Sequence, residues 1–251
     1  MNEWLLLIFF ALVGSVFSLV GGVYLLYSKK GGRMLQKISA PFAAGALLAV
    51  SFFDLLPESL HESGGEVLVW TLCGFLIFFV MERFLHWFHH HHEHEDAKTK
   101  ANRSLIIIGD TLHNFLDGIA IAAAFLVNPA TGIVTAVVVA LHEIPQEIGD
   151  FGLLLSKGMK REKVLLYNLL SALATLVGAV IVYAAGQTTV LPTGIMLAIT
   201  AGFFVYIAAS DIIPTIHQKA DTKLANAETM ILLLAVALVG ITTSMLHGFI
   251  G

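Results

Sequence analysis

The chain has 251 residues, 57% of them hydrophobic and only 13% charged, and a mean hydropathy of +0.83. Soluble domains carry about 25% charged residues, so this composition excludes an ordinary soluble protein and indicates a single transmembrane domain over 1–251. A net charge of -4 and a pI near 6.2 give no basis for nucleic-acid binding, and the single cysteine, Cys73, excludes a disulfide framework or a cysteine-based metal site.

A membrane-crossing helix needs about 20 mostly apolar residues. The predicted helices, in chain order, occupy 4–27, 38–60, 66–88, 104–127, 131–156, 162–184, 193–215 and 228–248. The expected fold is therefore all-α and polytopic, with eight transmembrane helices. The first run follows Met1-Asn2-Glu3-Trp4 with no basic segment before it, which reads as a retained helix rather than a cleaved signal. All 14 Lys and Arg residues fall in or beside the first, third, fifth and seventh connections. The positive-inside rule makes those connections cytoplasmic and puts both termini outside the cytoplasm.

Runs two and seven share a pattern. "AAGALLAVSFFDLLP" at 43–57 aligns with "TAGFFVYIAASDIIP" at 200–214, an offset of 157, with identical pairs Ala44/Ala201, Gly45/Gly202, Asp54/Asp211 and Pro57/Pro214. The first copy runs outward and the second inward, as in an inverted repeat. Helices one to three then mirror six to eight in a 3+2+3 arrangement, with helices four and five as the central pair.

Ionisable residues at bilayer depth are costly and point to function. Run four, "GDTLHNFLDG", places Asp110, His113, Asn114 and Asp117 on one helical face. Run five, "HEIPQEIGD", supplies His142, Glu143, Gln146, Glu147 and Asp150 at spacings of three and four. Imidazole with carboxylate oxygen suits zinc and tolerates iron, manganese or cadmium. Pro145 frees the Leu141 carbonyl beside this site, or simply kinks the helix. Asp54 on run two is a candidate ligand or gate residue. Asp211 fits equally a structural hydrogen bond. Glu58 and His61 sit toward the outer end as a candidate entrance. On run six, Asn168, Ser171 and Thr175 share a face that lines a path or bonds helix to helix.

The third connection, 89–103, is His-rich. His89, His90, His91, His92 and His94, with neighbouring acids, compose a cytoplasmic metal-binding tract for sensing or delivery; the alternative is a solvated low-complexity loop.

"HNFLDGIAIAAAF" and "HEIPQEIGD" together resemble the helix-four and helix-five motifs of the ZIP (Zrt-, Irt-like) metal transporters, closest to the subgroup with HNFxDG and HExPHExGD. The resemblance spans essentially the whole chain. It implies transport of Zn2+, or of Fe2+, Mn2+ or Cd2+, into the cytoplasm through a metal site between helices four and five. It assigns His113, Asn114 and Asp117, and His142, Glu143, Gln146 and Glu147, to that site. Asp54 stands where many relatives have His. It also implies a homodimer and an elevator-like movement of a bundle containing helices four and five. Two departures stand out: Gln146 replaces the usual His or Glu, and the run-six segment "SALATLVGA" carries no acid where some bacterial relatives have one, its counterpart being Thr175. A single occupied metal site is therefore expected.

The expected function is that of a transporter, not an enzyme, with Zn2+ as substrate and the lipid bilayer as surroundings. The host membrane expected for a short chain of this kind is a prokaryotic inner membrane. The rival is an intramembrane zinc metalloprotease built on His142-Glu143. That chemistry needs a second His one turn on, where this chain has Gln146.

Overall fold

The structure is a computed structural model that describes residues 3–20, 23–24, 28–88, 95–156, 158–217 and 222–250. The described residues are helical almost throughout, with no strand among them. Helix α1 is Glu3–Ser15 and α2 is Lys29–Val50. After a π turn at Ser51–Leu55 the same helix continues as α3, Leu56–Ser63. Gly64, at φ 70°, then reverses the chain through a 3-10 turn into α4, Val67–Phe88. The central helices are α5, Glu95–Val127, and α6, Pro129–Ser156. Helix α7 is Arg161–Thr188 and α8 is Thr193–Ile207. A second π turn, Ala208–Ile212, leads to α9, Ile213–His217, and α10 is Thr222–Ile250.

Among the described residues, five stretches are long and apolar enough to cross a membrane: Ile38–Phe84, Ile106–Val127, Arg161–Thr188, Thr193–Ser210 and Thr222–Met245. The first of them contains the reversal at Gly64 and so comprises two successive helices. The protein is an integral membrane protein. Exposed Leu, Ile and Phe side chains along α4, α7 and α10 face outward, as a lipid solvent permits. Helix α5 starts at Glu95, so Glu95–Arg103 of the expected loop is helical, whereas the His89–His94 tract lies outside the described residues. Helix α6 runs unbroken through position 145 despite the proline there.

The two π turns have a local cause. Pro57 and Pro214 each occupy the second position of the helix that follows the turn. A proline inside a helix has no N–H to give and its ring crowds the carbonyl four residues back. A five-residue turn just ahead absorbs that misfit: the Leu56 N–H bonds Ser51 O, and the Ile213 N–H bonds Ala208 O. The first turn also re-aims side chains. Phe52 and Phe53 point outward, while Asp54 is buried and accepts a hydrogen bond from Thr131 Oγ1 of α6 at 3.2 Å.

The turns start at 51 and 208, the same offset of 157 as the sequence match. The close packing repeats as well. A methyl group on Gly45 would strike the Leu232 carbonyl of α10, and one on Gly202 would strike the Thr71 carbonyl of α4. Thus α2 packs on α10 as α8 packs on α4. Around the central pair, α5 lies against α7 and α6 against α1.

Candidate metal centre

Helices α5 and α6 are joined by one residue, Asn128. Its Oδ1 accepts the Thr131 N–H at 2.8 Å, capping α6, and Pro129 fills the first helical position, where no N–H is needed. This tight hairpin sets the register of the two polar faces.

Four ligand atoms converge between the helices. His113 Nε2 lies 3.2 Å from His142 Nε2, 3.3 Å from Glu143 Oε1 and 3.6 Å from Asp117 Oδ2. His142 Nε2 lies 3.2 Å from Asp117 Oδ2 and 3.7 Å from Glu143 Oε1. Four ligands held about 2.1 Å from a zinc ion at the corners of a tetrahedron stand about 3.4 Å apart. The spacing is that of a coordination shell. His142 Nδ1 is 3.3 Å from the Val138 carbonyl; with the proton on Nδ1 it donates there and leaves the Nε2 lone pair facing the cluster.

Burial sharpens the point. His113, Asp117, His142 and Glu143 are between 0% and 7% exposed. Among the described residues, no donor other than the two imidazoles stands against Asp117 Oδ2 or the Glu143 oxygens. A carboxylate taken from water without donors costs several kcal/mol, which a divalent cation at the centre of this cluster offsets.

A second group adjoins the first. One ligand atom from each of Asp110, Glu143 and Glu147 lies within 4.8 Å of the others, and neither Glu147 oxygen accepts a hydrogen bond from a described residue. Glu143 belongs to both groups. Gln146 is partly buried, with its amide against the Asp110 carboxyl.

Asn114 is buried but committed elsewhere. Its Nδ2 donates to Asp110 Oδ1 at 3.0 Å and to Asp110 O at 3.1 Å, and its Oδ1 accepts from Thr175 Oγ1 of α7 at 3.0 Å. Asp54 lies outside both groups, against Thr131. Glu58 accepts from Asn128 Nδ2 at 3.2 Å and forms a third group with His61 and Glu62. Glu62 was absent from the sequence reading of this entrance. The Asp211 side chain lies outside the described residues.

Two further side chains border the centre without any signature in the sequence. Phe78 of α4 meets the His113 ring edge-on, centroids 5.5 Å apart, and Phe204 of α8 lies 5.7 Å from the His142 ring. Both phenylalanines are buried. They close the site on the side of α4 and α8 and fix the planes of the two imidazoles. In a chain this apolar, two phenylalanines in apolar runs look like any core residue.

The geometry argues against a protease. Its general-base glutamate stays off the metal, yet Glu143 Oε1 is one of the four convergent atoms. Comparison with known proteins agrees. The sequence model of the family described as ZIP zinc transporter matches residues 1–104 and 91–247. Zinc transporter ZIP10 of Danio rerio is 47% identical over 122 residues, 49% of this chain and 14% of that protein. Zinc transporter ZIP13 of Pongo abelii is 32% identical over 218 residues, 78% of this chain and 63% of that protein. Zinc transporter ZIP6 of Homo sapiens is 39% identical over 130 residues, 51% of this chain and 17% of that protein. The aligned part is thus less than two thirds of the length of each. With the family model spanning nearly the whole sequence, the chain belongs to the ZIP zinc transporter family, whose members are transporters and not enzymes.

Proposed function

We propose that this chain carries Zn2+ across the membrane into the cytoplasm, loading it on His113, Asp117, His142 and Glu143 between α5 and α6. The convergence of these four buried ligand atoms at coordination spacing is the observation that carries the reading. Two imidazoles and two carboxylates give a neutral overall shell for a divalent ion and match zinc's preference for nitrogen and oxygen donors. Fe2+, Mn2+ and Cd2+ are accepted by the same donors with a different order of affinity.

The arrangement supports the following route. The ion is drawn to Glu58, His61 and Glu62, passes Asp54, and sheds water into the four-atom shell. Glu143 then shares it with Asp110 and Glu147, one turn nearer the cytoplasmic ends of α5 and α6. Gln146 and Asn114 hold Asp110 in place rather than bind the ion first. The His89–His94 tract receives the ion in the cytoplasm. Release to carboxylates alone is chemically sensible, because zinc binds weaker without imidazole.

Eight membrane crossings in a 3+2+3 inverted repeat complete the proposal. Its support is the recurrence at an offset of 157 of the sequence match, the π turn and the glycine contact. The basic connections are cytoplasmic and the termini external, in a plasma or prokaryotic inner membrane. Purified protein in liposomes loaded with a zinc-responsive dye tests the function. Wild type fills the lumen with zinc; His113→Ala and Glu143→Ala do not. Undiminished uptake by both variants refutes the site, and wild-type liposomes that stay dark refute the transport.

A further inference from the structure

At the cytoplasmic end of α5, away from the metal centre, lies a cavity of about 660 Å3 between α5, the α6–α7 connection and the start of α7. The connection is short. Gly158, at φ 78°, ends α6: its N–H bonds Leu155 O at 2.9 Å and the Met159 N–H bonds Leu154 O at 3.1 Å. This paired closure needs a left-handed residue, which glycine supplies. Met159 packs back on the cluster that contains Leu154. Lys160 is then the residue before α7. The absence of a side chain on Gly158 also leaves room for the Arg103 guanidinium, whose Nη2 would stand 3.2 Å from an added Cβ.

Arg103, Lys160 and Lys163 therefore line one cavity, joined by the hydroxyls of Ser104 and Tyr167, and no carboxylate is among its described lining residues. The rest of the lining is apolar, with Ile107 and Ile108 from α5 and Met159 from the connection. The cavity sits where the apolar spans Ile106–Val127 and Arg161–Thr188 begin. Beyond it the same two faces stay apolar and open. Leu112, four residues on from Ile108, is 43% exposed, and Leu170, three on from Tyr167, is 54% exposed. Cations at the water boundary with an aliphatic track leading into the bilayer describe an amphiphile with an anionic head.

We propose that this cavity is a binding site for an anionic phospholipid. Its phosphate is held by Arg103, Lys160 and Lys163, and its acyl chain lies along Ile108, Leu112 and Leu170. The phosphate chemistry alone would also suit free inorganic phosphate, but the apolar wall and track have no use for that ion. A lipid here bridges α5, which carries His113 and Asp117, to the connection that ends α6, which carries His142 and Glu143. Membrane composition thereby acts on the relative position of the two ligand-bearing helices.

The test uses the purified full-length chain in neutral detergent, with phosphatidylglycerol, phosphatidylcholine and inorganic phosphate as probes and native mass spectrometry as readout. Wild type retains phosphatidylglycerol over phosphatidylcholine, and millimolar phosphate does not displace it. Each juxtamembrane cation adds about fivefold to affinity for an anionic lipid, so the triple variant Arg103→Gln/Lys160→Gln/Lys163→Gln weakens retention about a hundredfold. The control Arg83→Gln/Lys223→Gln, which removes two charges outside the cavity, leaves retention unchanged. Should the triple variant fail to fold, Lys163→Gln alone, on the exposed first turn of α7, shows the about fivefold loss. Equal retention of the two lipids, displacement by phosphate, an unaffected cavity variant, or an equal loss in the control overturns the proposal.

Discussion

The proposed metal centre and the proposed mouth are made of the same chemistry in opposite surroundings. The centre combines His113, Asp117, His142 and Glu143, all nearly inaccessible to solvent; the mouth combines Glu58, His61 and Glu62, where the His61 and Glu62 side chains are 84% and 40% exposed. Exposed charges interact weakly because water and salt screen them. Buried carboxylates without donors are held at a free-energy cost that a bound cation, or a proton, relieves. Under the function proposed above, the mouth concentrates ions without holding them, while the centre holds one and selects by ligand type. Burial, rather than residue identity, separates attraction from binding.

Breaking the centre gives the largest effect. Glu143→Gln removes the carboxylate shared by both inner groups and lowers zinc affinity about 100-fold or more, read by calorimetric titration in detergent. The same change removes a buried charge, so the ion-free protein melts at a higher temperature than wild type while its stabilisation by zinc disappears. In wild type, zinc at 100 times Kd adds about 2.7 kcal/mol. Both shifts come from one thermal-melt series with and without zinc. A variant that melts lower without zinc and is still stabilised by it contradicts the assignment.

The aromatic border is the next contrast, because no described aromatic ring packs on the mouth, where His61 and Glu62 are exposed. Phe204→Leu keeps an apolar side chain but removes the ring beside His142, and lowers zinc affinity between about 10- and 100-fold. Gln146→His sharpens the comparison in the other direction. An imidazole placed beside Asp110 adds a nitrogen donor to the carboxylate group and tightens zinc binding about tenfold at most. Unchanged affinity would keep position 146 outside the ion's reach. The smallest effect belongs to the mouth. Glu58→Gln slows uptake at low zinc a few-fold in low salt, and the difference vanishes at high ionic strength, as steering by an exposed charge requires.

Much of this architecture was legible in the sequence. Long apolar runs placed the helices at 66–88, 131–156, 162–184 and 193–215 within a few residues of the observed ends, because apolar length is a strong signal in a membrane chain, but they hid the end of α1 at Ser15, inside the run 4–27, and the start of α5 at Glu95, nine residues before 104. The faces of α5 and α6 were also legible, since polar residues at spacings of three and four stand out against Leu, Ala and Ile. The partners of those faces were not. Asn114 matches a ligand pattern, yet its amide is engaged by Asp110 and Thr175, a contact between α5 and α7 that spacing within one helix cannot show. The match between 43–57 and 200–214 was visible, but the π turns within it were not, because a five-residue turn leaves apolar periodicity almost unchanged. Phe78 and Phe204 were hidden by the abundance of their own kind: the chain contains 17 phenylalanines. Likewise Glu62 joins the mouth only because α3 brings it beside Glu58 and His61.

The central claim is that two imidazoles and two carboxylates hold the transported ion between α5 and α6. X-ray absorption at the zinc edge, on purified protein loaded with one equivalent of zinc, tests it most directly. The account predicts a four-coordinate shell of mixed nitrogen and oxygen at about 2.0–2.1 Å with the outer-sphere scattering of two imidazoles, reduced to one imidazole in His142→Ala. A six-coordinate, all-oxygen shell, or an imidazole signal unchanged in both His113→Ala and His142→Ala, would contradict it.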